Sequence, residues 1–94
     1  MIRVSPQAAR DLNEACDYLS QDSVAAAYRL RDRVAEVLTL LESGLVERAE
    51  VVLTDGQRVR PWAMPPYTVY YRRVGDDCEI VRVYHQARRP IERK

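Results

Sequence analysis

Tyr67-Thr68-Val69-Tyr70-Tyr71-Arg72-Arg73-Val74, Gly75-Asp76-Asp77 and Cys78-Glu79-Ile80-Val81-Arg82-Val83-Tyr84-His85 follow one another without a break. The first and last runs are rich in β-branched and aromatic residues, and the short polar link between them contains glycine. This is the signature of a β-hairpin, with strands over 67–74 and 78–85. Side chains alternate along a strand, so parity sorts the two faces. Val69 and Tyr71 with Val81, Val83 and His85 form an apolar floor. Tyr70 and Arg72 with Arg82 and Tyr84 form the opposite, outer face. An outer face carrying this much arginine and tyrosine has the composition of a binding surface.

A third strand precedes the hairpin over Gln57 to Met64. Pro61 inside it calls for an edge position or a bulge, because proline cannot donate to a ladder. Pro65-Pro66 ends it. Arg58, Arg60 and Trp62 are expected to join the outer face. Upstream, Glu50-Val51-Val52-Leu53 reads as an edge strand or an extended connector, and Thr54-Asp55-Gly56 as a turn.

The N-terminal half is helical after a short opening strand, Met1 to Val4. Ser5 is a good N-cap and Pro6 suits the first helical position, where a missing N–H costs nothing. Ala8, Leu12, Ala15, Cys16 and Leu19 recur at helical spacing, which predicts a helix to about Ser20. The link Gln21-Asp22-Ser23 is short enough to force an antiparallel hairpin. A second helix runs from about Val24 to Glu42 on the stripe Ala27, Leu30, Val34, Val37, Leu38 and Leu41, with Ser43-Gly44 as its stop. Together these elements predict an α+β domain over 1–94: an N-terminal strand and an antiparallel helix hairpin packed on a small, mostly antiparallel sheet.

At 94 residues, 47% hydrophobic and 31% charged, the chain can bury one core and present a soluble surface. No membrane span or secretory signal is evident, so a cytoplasmic location is expected. Two distant cysteines and one histidine exclude a zinc site of the usual kind; Cys16 and Cys78 read as buried reduced thiols, and no cofactor is called for. Charge is uneven. Residues 1–56 carry six Arg and ten acidic groups, net −4, whereas residues 57–94 carry eight Arg, one Lys and four acidic groups, net +5. A basic C-terminal half attracts an acidic partner.

The order and spacing of several segments resemble the RelE/ParE superfamily of bacterial type II toxins over nearly the whole chain. They are Val4-Ser-Pro-x-Ala-x-x-Asp-Leu12, the long second helix, Tyr67-x-Val-x-Tyr-Arg72, and Ile80-Val-Arg-Val-Tyr-His-x-x-Arg88. Gln86 stands where the family often has glycine. The resemblance implies one of two activities. RelE-like members cut messenger RNA in the ribosome, and the residues here that could serve are Arg58, Arg60, Arg82, His85 and Arg88. That chemistry needs phosphate charge stabilised and protons moved, yet the tail lacks tyrosine and lysine is almost absent. A sequence pI near 7.8 also disfavours direct binding of nucleic acid.

ParE-like members poison DNA gyrase by protein contact, without chemistry of their own, and are neutralised by a ParD-type antitoxin. The long helix hairpin and abrupt tail favour this branch. The resemblance then implies a target- or antitoxin-binding set of Arg58, Arg60, Trp62, Tyr70, Arg72, Arg82, Tyr84, Arg88 and Arg89. A toxin relic that only binds antitoxin is the third reading.

Overall fold

The computed structural model describes residues 1–93. Ser5 opens the first helix as expected. Its hydroxyl accepts from the Ala8 N–H at 3.0 Å, and Pro6 takes the first position of α1 (Pro6–Ser20). Ser23 does the same for α2 (Val24–Glu42), accepting from the Ala26 N–H at 3.1 Å. These caps satisfy amide groups that would otherwise be orphaned, and they fix where each helix begins. Gly44, at φ +72°, follows the C-cap Ser43 in the left-handed conformation that a side chain would strain.

Five strands form one sheet in the order β1-β5-β4-β3-β2: β1 (Ile2–Val4), β2 (Val51–Val52), β3 (Arg58–Met64), β4 (Tyr67–Val74) and β5 (Asp77–His85). Among the described strands only β1 and β5 pair in parallel; the helix hairpin carries the chain from β1 to β2 at the far edge, and the antiparallel run β2 to β5 brings it back beside β1. The 50–53 segment resolves into the two-residue strand β2, paired antiparallel with Val59 and Arg58. Pro61 lies beyond that pairing, where β3 has no outer neighbour and a missing N–H is harmless.

The expected face assignment needs correction in β5. Tyr70 pairs with Arg82 but Tyr71 pairs with Ile80, so Val81 is an extra, bulged residue. A bulge resets the alternation. Ile80 and Cys78 therefore face the helices with Val69, Tyr71 and Val83, in the main core that also holds Ala8, Cys16, Leu30, Val34 and Leu41. Val81 turns the other way. It joins Tyr70, Tyr84, Val59 and Leu53 in a second, smaller core on the outer side of the sheet.

That second core overturns the expectation of an open outer face. The Leu53–Gln57 turn and the C-terminal segment fold over it, with Ile91 packed on the cluster. Thr54 N–H donates to the Ile91 carbonyl at 2.6 Å, Arg93 N–H to the Val52 carbonyl at 2.7 Å, and Leu53 bridges Glu92. Tyr70 and Tyr84 are consequently buried, and their hydroxyls donate to the Glu92 carboxylate and the Arg89 carbonyl. The eight described residues after β5 carry too little hydrophobicity to announce such a strap.

Candidate functional site

Parity also moves Arg58, Arg60 and Trp62. Their register places Arg60 opposite Tyr71 and Trp62 opposite Val69, on the helix side rather than the outer side. Trp62 packs against the main core with the Arg48 guanidinium 4.5 Å above its ring. Arg60 donates to the Arg48 carbonyl and lies 3.8 Å from Glu47, while Arg58 meets Glu50 at 3.4 Å.

Arg72 stays on the outer face but is bound across the strands to Glu79 at 2.6 Å. Arg82 is more deeply committed. It grips both oxygens of Asp11, at 2.7 and 3.1 Å, and the same carboxylate accepts the Val83 N–H at 3.1 Å. The reason lies in the sheet edge. β1 covers β5 only from Cys78 to Ile80; past it, Ser5 Oγ donates to the Val81 carbonyl and Asp11 accepts from Val83, so the N-cap of α1 and one of its side chains complete the ladder. Hydrogen bonding to Asp11 holds the Arg82 guanidinium firmly in its charged form. A central strand arginine that looked like a ligand hook is thus held inside the fold.

Beyond β5, a different surface opens. His85 is half-buried, its ring edge-on to Tyr67 with centroids 5.1 Å apart. Its Nδ1 accepts from the Ala87 N–H at 3.0 Å, which asks for the tautomer protonated on Nε2. Arg88 lies 5.1 Å over the Tyr84 ring, and Arg89 is exposed. His85 and Arg88 line a cavity of about 440 Å³ with Glu14, Ala15, Tyr18 and Tyr67.

Among the described residues, no group of three His, Cys, Asp or Glu side chains could hold a metal ion, and no helix is long and apolar enough to cross a membrane. Both cysteines are free and buried, and burial pushes the Cys78 thiol up, away from reactivity.

The family model for the ParE toxin of type II toxin–antitoxin systems, parDE, matches residues 2–90. The chain belongs to the ParE toxin family. Comparison with curated proteins gives no match. Among solved structures, one titled "Chromosomal ParDE TA system from P. aeruginosa" matches with a TM-score of 0.69 at 20% identity, over 89% of this chain and 92% of that one. At that identity the likeness speaks for the fold.

Read as a ParE-family toxin, the protein does not bring the candidate arginines together. Arg58 and Arg60 lie on the opposite side of the sheet from Arg72 and Arg82; Arg72 and Arg82 line one cavity of about 480 Å³ with their partner Glu79, and His85 and Arg88 line another. Sequence reasoning also missed a structural hub. Glu47 accepts from the Tyr71 hydroxyl at 2.8 Å and from Arg73 Nε at 3.1 Å, while Arg73 Nη1 reaches the Leu41 carbonyl at the end of α2. Desolvation opposes the Glu47 charge, but the hydrogen bonds from Tyr71 and Arg73 outweigh it and hold the carboxyl below its ordinary range. Asp11 was readable only as an off-stripe helical acid. Nothing local to it announces a partner 71 residues away.

Proposed function

We propose that this ParE-family toxin arrests growth by protein–protein contact with DNA gyrase in the cytoplasm, and that a ParD-type antitoxin neutralises it. The observation that carries the contact reading is the dispersal of the residues a messenger-cutting site would need. Of Arg58, Arg60, Arg82, His85 and Arg88, the first two are paired with Glu50 and Glu47, and Arg82 is paired with Asp11. That leaves His85 and Arg88, beside a Glu14 carboxylate that would repel a scissile phosphate. Phosphoryl chemistry needs several charges converging on one group, and here they diverge.

The test is supercoiling by purified gyrase with and without the isolated chain, scored for trapped cleaved DNA. Loss of supercoiling with cleaved complexes is expected. Messenger cleavage within minutes of induction, ahead of any DNA-damage response, would transfer the function to the ribosome. A chain that binds antitoxin yet leaves growth, supercoiling and messengers unchanged would be a relic.

A further inference from the structure

The helix α2 carries a second stripe beside the one that packs on the sheet. Ala27, Leu30, Val34 and Leu41 serve the main core. Val24, Tyr28, Arg31 and Ala35 also recur at helical spacing, on a neighbouring face. Val24 and Tyr28, one turn apart, stand 60% and 66% exposed, so two large apolar side chains meet water together.

This face borders a groove between the two helices. Small side chains at the crossing, Cys16, Ser20 and Ala27, leave a space of about 220 Å³, and Val24 and Tyr28 form its α2 wall. Asp17 lines it from α1 and Arg31 from α2. Among the described residues Asp17 makes no ion pair, and Arg31 donates to the neutral Asn13 Oδ1 at 3.2 Å. Unpaired arginines occur elsewhere on the surface. What sets this groove apart is that a free cation, a free acid and two exposed apolar side chains line it together. A face carrying both signs is complementary to itself under a two-fold rotation, because each cation then meets the other copy's acid.

We propose that this side of the helix hairpin is a self-association face, on which two copies of the chain meet about a two-fold axis. Tyr28 of each copy enters the groove of the other over Ala27, and Arg31 of each meets Asp17 of the other. The groove shares no lining residue with the cavity of His85 and Arg88 or with the outer-face core, so the dimer leaves both of those regions uncovered. Two apolar side chains and one ion pair per copy make a weak dimer, half-formed at about 10–100 µM chain.

The test is sedimentation velocity of the full chain over a concentration series from about 1 µM to about 1 mM, which brackets that range. The weight-average mass should rise from the 10.9 kDa of one chain towards twice that value. Tyr28→Ser should weaken dimerisation about tenfold or more. Asp17→Arg and Arg31→Asp, each alone, should also weaken it about tenfold, since like charges then face each other across the axis. Mixed in equal amounts, the two charge variants should pair with each other about as tightly as the wild type, because every contact again joins opposite signs. All three positions are exposed, so melting temperatures should stay close to wild type.

A chain that stays monomeric across the series overturns the proposal. So does a dimer that Tyr28→Ser leaves intact, or two charge variants that fail to associate alone and also when mixed, because either result puts the contact on another face. Should a charge variant fail to fold, Tyr28→Ser carries the test by itself.

Discussion

Asp11 is the residue on which the fold turns. Its carboxylate is nearly inaccessible and satisfies both Arg82 and the last covered amide of β5. Asp11→Ala should leave a guanidinium unpaired and an N–H orphaned, costing about 2–4 kcal/mol in denaturant unfolding. Asp11→Asn keeps an acceptor and should cost less. Arg82→Ala is consequently expected to reduce soluble, folded protein before it reveals anything about toxicity. Glu47 gives a pH-dependent counterpart. Its folded-state pKa lies below the ordinary 4.5, so its contribution is present above that pH and disappears as pH falls through the lower folded value. The side chain is about half exposed, which limits the effect to under about 1 kcal/mol. Melting temperature against pH should therefore lose part of its acid slope in Glu47→Gln. Tyr70 works at the other end. Burial and the Glu92 hydrogen bond raise its pKa, so its stabilisation holds below pH 10 and fades as pH climbs above it. Tyrosinate absorbance for this residue should appear together with unfolding.

At the scale of elements, the C-terminal strap matters most. It joins the β2 edge to the outer face of the sheet through two backbone hydrogen bonds, the Tyr70–Glu92 contact and Ile91. Without it, Leu53, Val59, Tyr70, Val81 and Tyr84 would share a wet surface. Ile91→Ser should cost about 1–2 kcal/mol by lost apolar burial, read as a lower urea midpoint. Deleting everything after Arg89 should cost more and bring binding of a hydrophobic dye. If the truncated chain instead melts like the full one, the strap is ornamental and the outer face is available after all.

For the whole molecule, the two sides of the sheet have different occupations. The helix side holds the main core, the outer side holds a second core sealed by the C-terminal segment and the Leu53–Gln57 turn, and a cavity lined by Glu14, Tyr18, Tyr67, His85 and Arg88 lies between α1 and the end of β5. Toxicity carried by the tail arginines predicts that Arg88→Ala with Arg89→Ala relieves growth arrest with little change in melting temperature, because neither residue holds an ion pair. Relief should be scored as colony counts on induction. Unchanged arrest would move the target contact to the helix hairpin.

The sequence alone determined the elements and their order. Caps at Ser5 and Ser23, helical stripes, the Gly75-Asp76 turn and the alternation in 67–74 are local signals, and local signals survive translation into structure. It also carried enough ordered spacing to point to the family. What only the tertiary structure decided is which side each β5 residue faces and which arginines are free. One bulged residue, Val81, inverts part of a parity argument, since a single inserted position exchanges the faces of a strand. Arginine pairing depends on carboxylates brought from 71 residues away, as Asp11 is to Arg82, or from across a linker, as Glu47 is to Arg73. Charge composition counts cations, but folding chooses their partners.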